Sequence, residues 1–202
     1  MNLLAHAYLS KSDPAVLLGN MLGDDVKGMQ IALYPPGVRV GIQLHRYIDS
    51  FTDEHPLISQ AKTPFRPVAG LYAGALVDIS MDYFLARDPA IHSLKEWQEF
   101  AQLSYQQLKA QQSWFVGGFK RYYPYLEKEN WLLHYRDTAF IDQSMRNLLK
   151  RVGLGSKAEE VKQIFDNHKP HLEKTYQAFF PALENYVQKE LPVLKKANGL
   201  DS

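Results

Sequence analysis

Apolar residues recur along the chain at intervals of three and four positions, and alternating Val, Ile and Thr stretches with Asn-Gly turns are missing. This spacing lines one face of a helix, whereas a half-buried strand needs a period of two. The pattern therefore predicts an all-α protein. The expected helices span residues 1–10, 14–25, 38–51, a short segment from 56, 65–85, 94–115, 127–137, 138–152 and 157–191, the last interrupted near Pro170 and Pro181.

Helix boundaries are marked by capping residues, proline and glycine. Asp13 followed by Pro14 reads as an N-cap with proline in the first turn, and Ser93 can cap the helix that follows it. Pro35-Pro36 predicts a turn, and Gly117-Gly118 predicts a break in the chain. These signals place the boundaries of the helices that the apolar spacing predicts.

The chain has 202 residues, of which 46% are hydrophobic and 12% aromatic. Because a domain takes about 150 residues on average, we predict a single-domain helical bundle over residues 1–202. Candidate chemistry is concentrated in residues 1–90, so these helices should form the site and residues 91–202 should support them. The aromatic second half could complete the core or form a dimer interface, and the oligomeric state is left open.

The formal net charge is only +1, which argues against the broad positive surface of a nucleic-acid-binding protein. Residues 1–12 have no positive N-terminal region and carry His6 within their apolar stretch, so they do not resemble a signal peptide. No apolar run reaches the roughly 18 residues of a membrane span. We therefore expect neither nucleic acid nor a membrane as partner, and a cytoplasmic location.

Polar side chains able to bind a metal repeat four residues apart on otherwise apolar helices. Residues at this spacing share one face of a helix, so each pair can point at a common position. The chain has no cysteine, so a metal could be held only by His, Asp, Glu or backbone oxygen, which suits Mg, Mn, Fe or Zn. The pairs are Asn2 and His6, His45 and Asp49 with Asp53 one turn further, and Asp78 and Asp82, while Asp24 adds a carboxylate after the second helix.

The surroundings of these pairs are apolar. Asp78 lies in the stretch ALVDISMDYFL (75–85), which is so hydrophobic that its helix should be buried on most sides. A buried carboxylate is unfavourable unless a cation or several donors stabilise it. Taken singly, His6 could be a hydrogen-bonded core histidine, Asp53 a helix cap and Asp49 the partner of an arginine. Taken together, the convergent pairs favour a metal or catalytic site.

Several blocks of the sequence resemble the successive motifs of the acyl carrier protein phosphodiesterase (holo-ACP hydrolase) family. They occur in the order that the family shows, cover most of the chain and are densest before residue 90. The blocks are MNLLAH (1–6), GNMLGD (19–24), HRYID (45–49) with Thr52-Asp53, DISMDYFL (78–85) and NWLLHYRD (130–137).

The resemblance implies an enzyme that hydrolyses the phosphodiester joining 4′-phosphopantetheine to a serine of holo-acyl carrier protein. It implies Mn²⁺ or Mg²⁺, or another divalent metal, as cofactor, and a small acidic protein as substrate. It also implies a likeness to the HD phosphohydrolases, which are all-α and hold metal with His and Asp. A metal bound in this way would polarise a phosphoryl oxygen and lower the pKa of water toward ~7.

Site residues follow from the resemblance and the helix spacing together. We predict Asp24, Arg46, Asp53 and Asp82 as catalytic residues, the arginine stabilising charge on phosphoryl oxygens. The predicted metal ligands are His6, Asp24, His45, Asp49 and Asp78. The predicted substrate-binding residues are Asn2, Lys27, Arg39, Arg66 and Arg87, with Lys62 a further candidate for docking an acidic protein.

The chain departs from the family pattern at a few positions. Asp25, Lys27, Tyr47 and Tyr83 stand where the family typically has Phe, Arg, Arg and His. Fewer basic side chains weaken the recognition of phosphate. Two alternatives therefore stay open: an HD-like phosphohydrolase acting on a nucleotide or another small phosphodiester, and a non-catalytic helical binding protein on the same fold.

Overall fold

The structure, a computed structural model, describes residues 1–200, and within that range it contains helices and no strand. The all-α prediction is confirmed. Short 3₁₀ segments at residues 28–33, 70–72, 112–114 and 155–157 join some of the helices. The α-helices of the described range are α1 (Leu3–Leu9), α2 (Pro14–Leu22), α3 (Pro36–Glu54), α4 (Pro56–Ala61), α5 (Arg66–Ala69), α6 (Ala73–Leu85), α7 (Leu94–Lys109), α8 (Gly117–Lys128), α9 (Trp131–His134), α10 (Thr138–Arg151) and α11 (Ala158–Ala197).

Two helices begin at the capping residues that the sequence predicted. The Asp13 carboxylate accepts hydrogen bonds from backbone N–H groups in the first turn of α2, and Pro14 occupies that turn. Ser93 caps α7, where its side chain and that of Glu96 each accept a backbone N–H of the other residue. Local polar chemistry therefore sets both of these helix starts.

Helices α2 and α3 run parallel to each other. Contacts advance in the same direction along both helices, from Ala15 against Gly37 to Gly23 against His45. Because the helices are parallel, the segment that connects them, residues 23–35, must run back from the end of α2 to the start of α3. As a result, the C-terminal end of α2 lies against the later part of α3.

The two helices touch through their backbones. A Cβ atom added at Gly19 would overlap the Val38 carbonyl, and one added at Gly41 would overlap the Val16 carbonyl. Only glycine lets two helices approach this closely, because any side chain would push the backbones apart. The approach is important for the site, since it brings backbone groups of α2 within reach of side chains on α3.

Helix α6 crosses the centre of the protein, and most of its residues are buried, as predicted. The prediction of one helix over 65–85 is wrong, because Gly70 adopts φ +54° and a 3₁₀ turn separates α5 from α6. The stretch Arg66–Leu85 is long and apolar enough to cross a membrane, but 61% of its most apolar window is buried inside the protein. That burial is typical of a core helix.

Helix α11 is one continuous helix of 40 residues, so the interruption predicted near Pro170 and Pro181 is wrong. Pro170, Pro181 and Pro192 are all exposed. They are eleven residues apart, about three turns, and so share the solvent-facing side. A carbonyl that loses its partner there can bond to water. The opposite face packs into the core through Phe165, Leu172, Phe179, Leu183 and Val187, and this packing outweighs the preference of proline for a break.

The segment predicted as one helix over 127–137 is also split. Helix α8 ends at Lys128, and Asn130 adopts the left-handed conformation with φ +47° before α9 begins at Trp131. Asparagine tolerates this region better than most residues. The break predicted at Gly117-Gly118 coincides with the start of α8.

One hydrophobic core runs through both halves of the chain, from Met1 to Leu194. Helix α11 packs along α3 and α6, and α10 packs against α6. The later helices therefore hold in place the helices that carry the predicted ligands. The likeness to HD phosphohydrolases stays a prediction.

Candidate functional site

A polar cavity of about 240 Å³ lies where α1 begins and α2 ends. The later part of α3 and the first half of α6 complete its wall, and α8 contributes one tyrosine. All five predicted metal ligands therefore line one cavity. The lining residues are Met1, Asn2, Leu3, His6, Asn20, Met21, Asp24, His45, Asp49, Thr52, Asp53, Asp78 and Tyr122.

Two histidines and one aspartate form a tight cluster in this wall. The imidazoles of His6 and His45 stack with their centroids 4.1 Å apart and an interplanar angle of 19°. Nε2 of His6 lies 3.2 Å from Oδ1 of Asp49, and Nε2 of His45 lies 3.1 Å from Oδ2 of the same carboxylate. One potential ligand atom from each residue lies within 4.8 Å of the other two.

Each imidazole uses its Nδ1 atom in a hydrogen bond to α2. Nδ1 of His45 lies 2.7 Å from the backbone oxygen of Asn20, and Nδ1 of His6 lies 2.8 Å from Oδ1 of Asn20. The side-chain nitrogen of Asn20 donates to the His6 backbone carbonyl and to Ser10 Oγ. The atom of the amide that faces the His6 ring is therefore its oxygen. Both Nδ1 atoms therefore carry hydrogen, and both Nε2 atoms face Asp49.

The charges in the cluster depend on one another. Burial lowers the pKa of His45, but the carboxylates of Asp24 and Asp49 outweigh it and raise this pKa to about 9. Burial and the neighbouring His45 lower the pKa of His6. Burial would raise the pKa of Asp49, yet the two imidazoles hold it well below its usual range. The carboxylate is thus ionised, and the cluster favours a positive charge between its members.

Asp24 stands at the edge of the cluster, just after α2. Its side chain is 86% exposed, and its Oδ1 lies 3.5 Å from Nε2 of His45. The neighbouring His45 imidazole lowers the pKa of Asp24. A Cβ atom on Gly23 would overlap the His45 ring. The glycine therefore lets the end of α2 pass over the imidazole and brings Asp24 to it.

The donor set fits a divalent cation. Nε2 of His45 is buried and makes no hydrogen bond, although carboxylate oxygens of Asp49 and Asp24 lie 3.1 and 3.5 Å from it. Since Nδ1 keeps its hydrogen, Nε2 has a lone pair to give to a metal once the second proton of the charged ring has left it. Two imidazole nitrogens with the oxygens of Asp49 and Asp24 make a mixed N/O set without sulfur, which suits first-row divalent metals.

Asp78 and Asp82 have different surroundings, although they lie on one face of α6. Asp78 lines the cavity, and its Oδ1 lies 3.1 Å from the Met1 amino nitrogen. Asp82 is fully buried and is not among the cavity-lining residues. Its carboxylate accepts hydrogen bonds from three backbone N–H groups at the start of α1, where a helix has free donors. Asp82 therefore anchors α1, and burial raises its pKa to about 7.

Asp82→Asn should lower the free energy of unfolding by about 1–3 kcal/mol, since it leaves a buried donor unsatisfied. Oδ1 of Asp82 accepts from the Asn2 N–H and Oδ2 accepts from the Leu4 N–H, but an amide offers only one oxygen. Urea unfolding measures the loss. Ser80→Ala is the matched control, because the Ser80 hydroxyl bonds only within α6. An Asp82→Asn protein at least as stable as the Ser80→Ala protein would contradict the anchoring role.

The predicted basic site residues lie outside the cavity, and no Lys or Arg of the described residues lines it. Arg46 is exposed and donates a hydrogen bond to the Val26 carbonyl, which braces the loop after α2. The guanidinium groups of Arg39 and Arg87 donate to the side chain of Asn198 and the carbonyl of Arg136, respectively. Lys27 and Arg66 are exposed.

Asp53 and Asn2 do line the cavity. The Asp53 side chain is 71% exposed, and its Oδ1 lies 2.7 Å from Nζ of Lys62. Asn2 caps α1 by accepting the Leu3 N–H with its Oδ1, so its amide nitrogen is available to a ligand. Of the fourteen predicted residues, seven line the cavity around His6 and His45, six are cations outside it, and Asp82 anchors α1.

The sequence did not predict six of the cavity-lining residues, among them Asn20 and Tyr122. Asn20 is fully buried in the apolar helix VLLGNML (16–22), and such a buried amide is a signal that could have identified it. Tyr122 comes from α8, far from the other lining residues in sequence. It lies among other aromatic residues, and nothing in the local pattern distinguishes it.

The fold and the site define a class: an all-α protein in which two buried histidines and a partly exposed aspartate cluster in a polar cavity. Residues 1–183 match the family described as Acyl carrier protein phosphodiesterase. The chain therefore belongs to the acyl carrier protein phosphodiesterase family, a family of hydrolases acting on a phosphodiester.

Individual relatives are similar over nearly their whole length. The chain is 32% identical to an acyl carrier protein phosphodiesterase from Enterobacter sp. (strain 638), over 91% of this chain and 95% of the relative. It is 30% identical to one from Yersinia pestis, over 93% and 98%. A third, from Escherichia coli O139:H28, is 31% identical over 91% and 95%. No solved structure matches the chain.

Proposed function

We propose that this protein is a metal-dependent phosphodiesterase that hydrolyses the 4′-phosphopantetheine–serine phosphodiester of holo-acyl carrier protein. The observation that carries the proposal is the cluster of His6, His45 and Asp49, with both Nε2 atoms directed at one carboxylate. The proposal is also supported by the family to which the chain belongs and by the names of its relatives.

The proposed ligands are His6, His45, Asp49 and Asp24, whose donor atoms face one another in the cavity. A divalent cation held there would supply Lewis-acid activation of a phosphoryl oxygen. Without such a cation the cavity would disfavour a phosphodiester, because the four aspartates that line it outnumber its positive groups, the Met1 amino group and the His45 ring. The proposed cation therefore also explains how an anionic substrate could enter.

Asp24 is suited to orient the attacking water. Its side chain is exposed to solvent at the cavity, and its pKa is lowered by His45, so the carboxylate is ionised at neutral pH and accepts hydrogen bonds. Asp78 is not among the proposed ligands. Its Oδ1 lies 3.1 Å from the amino nitrogen of Met1, so its charge is balanced by that group. The amide nitrogen of Asn2 can donate to a phosphoryl oxygen, because the oxygen of the same amide is engaged in capping α1.

Tyr122 is suited to donate a hydrogen bond to the departing serine oxygen. Burial and the carboxylates of Asp25 and Asp24 raise the pKa of Tyr122, so the phenol keeps its proton at neutral pH. Tyr122→Phe should lower turnover of holo-acyl carrier protein about 10- to 100-fold, since a hydrogen bond to a charged group contributes about 1.5–3 kcal/mol. The measurement is steady-state turnover of the variant.

A leaving-group comparison tests this role of Tyr122 specifically. Bis-p-nitrophenyl phosphate releases a phenolate that needs no proton, so its hydrolysis should change much less in Tyr122→Phe. Tyr125→Phe is the control on the same helix, because Tyr125 is 58% exposed and outside the cavity lining. Equal losses with both substrates would contradict a role at the leaving oxygen.

The proposed reaction is tested by mass spectrometry of holo-acyl carrier protein incubated with the protein and Mn²⁺, beside a metal-free control. Loss of the phosphopantetheine mass only with metal would support both the reaction and the cofactor. An unchanged carrier protein, with turnover of a small phosphodiester under the same conditions, would favour the HD-like phosphohydrolase. No turnover of either substrate would favour a non-catalytic binding protein.

A further inference from the structure

We propose that Asn20 is a positioning residue that sets the hydrogen location on both histidines and thereby directs their Nε2 atoms into the metal site. This inference rests on the proposed metal dependence. It adds a residue that coordinates nothing itself but determines which ring nitrogens are free to do so.

The backbone carbonyl of Asn20 is available because of where α2 ends. The last four carbonyls of a helix have no N–H partner within it, and α2 ends at Leu22. The Asn20 oxygen is therefore free to accept Nδ1–H of His45 at 2.7 Å. The close contact at Gly19 and Gly41 brings this carbonyl within reach of α3.

The side chain of Asn20 serves the other histidine. Its oxygen accepts Nδ1–H of His6 at 2.8 Å, while its nitrogen donates at 2.8 Å to the His6 carbonyl and at 3.1 Å to Ser10 Oγ. These two donations fix the orientation of the amide. One residue with no exposed surface thus holds a ring on α1 and a ring on α3.

Because His6 bonds to the side chain of Asn20 and His45 to its backbone, a substitution at Asn20 should affect the two histidines differently. Substituting the side chain removes the acceptor for His6 but leaves the backbone acceptor for His45. In Asn20→Ala the His6 ring should lose its fixed hydrogen position and orientation, whereas His45 should keep both. Residues that orient metal-binding histidines typically contribute about 10- to 100-fold in metal affinity.

The experiment measures metal binding and not turnover. Titration calorimetry with Mn²⁺ should show a Kd about 10- to 100-fold weaker in Asn20→Ala than in the unmodified protein. Nitrogen-15 NMR of the histidine side chains, with diamagnetic Zn²⁺ as probe, should show altered Nδ1 and Nε2 signals for His6 and unchanged signals for His45. Asn20→Asp retains an oxygen that can accept Nδ1–H of His6, so the hydrogen should stay on Nδ1 although both donations of the amide nitrogen are lost.

Ser10→Ala is the matched control for disturbance of the buried polar cluster. Ser10 is fully buried and bonds to the same His6 carbonyl and Asn20 nitrogen, but it does not touch either imidazole. It should destabilise the fold without weakening Mn²⁺ binding more than about 3-fold. If Asn20→Ala does not fold, Asn20→Leu removes the same acceptor while keeping the side-chain volume.

The possible results distinguish a failure of the role of Asn20 from a failure of the proposed metal dependence. If the unmodified protein binds Mn²⁺ and the Asn20 variants bind it equally well, with unchanged His6 signals, the role of Asn20 is overturned and the proposed function stands. If the unmodified protein binds neither Mn²⁺ nor Zn²⁺, the metal dependence itself is overturned, and this inference with it.

Discussion

Asp49→Asn should abolish tight metal binding and lower turnover of holo-acyl carrier protein by about 1,000-fold or more. The Asp49 carboxylate lies 3.2 Å from Nε2 of His6 and 3.1 Å from Nε2 of His45, so it faces both nitrogens that could bind a cation. An amide of the same shape has no charge and is a poor ligand. Lewis-acid activation contributes several kcal/mol to a reaction of this kind, and each 1.36 kcal/mol is a factor of ten in rate.

The measurement pairs turnover with metal content by inductively coupled plasma mass spectrometry. Glu54→Gln is the control, because Glu54 is an exposed carboxylate on the same helix and does not line the cavity. The variant should still fold, since the Asp49 side chain is 41% exposed and fills no core position. Metal retention and turnover in Asp49→Asn equal to those of Glu54→Gln would remove Asp49 from the site.

Much of the site follows from helical spacing in the sequence. Asn2 and His6 share one face of their helix, and His45 and Asp49 share one face of theirs. This was enough to predict that each pair points at a common position, and all four side chains line one cavity. The same spacing was less informative for Asp82, which accepts backbone N–H groups of α1 one turn away from the cavity. Spacing identifies a face, but not the point along the helix at which a neighbouring helix covers it.

The remaining differences come from contacts between distant segments. Whether Arg87 faces a ligand depends on its bond to the carbonyl of Arg136, which lies 49 residues later in sequence. Tyr122 reaches the cavity from α8, whose first turn is held to the loop after α2 because Asp25 accepts the Gly118 and Phe119 N–H groups. Pro170 and Pro181 indicate a break by local rules, but the buried face of α11 outweighs them. Each case is a tertiary interaction that overrides or completes a local preference.

Gly41→Ala should lower the free energy of unfolding by about 2 kcal/mol or more and weaken the site as well. The new methyl carbon would overlap the Val16 carbonyl and come within 2.7 Å of the Asn20 backbone nitrogen and 2.8 Å of the Gly19 Cα. Backbone atoms cannot rotate away as a side chain can, so α2 must move. Overpacking of this kind typically costs about 1–3 kcal/mol, occasionally more, against a helix-propensity gain of up to about 1 kcal/mol.

Urea unfolding followed by circular dichroism measures the change, with Gly74→Ala as the control. A Cβ at Gly74 would meet only the flexible end of Lys62 at 3.5 Å, so this alanine should be neutral or stabilising by up to about 1 kcal/mol. Displacement of α2 would also draw the Asn20 carbonyl away from His45, so Gly41→Ala should bind Mn²⁺ less tightly even where it is folded. Unfolding free energies that agree for the two alanine variants would mean that the backbones of α2 and α3 are not in contact at Gly41. In that case the position of His45 would need a different explanation.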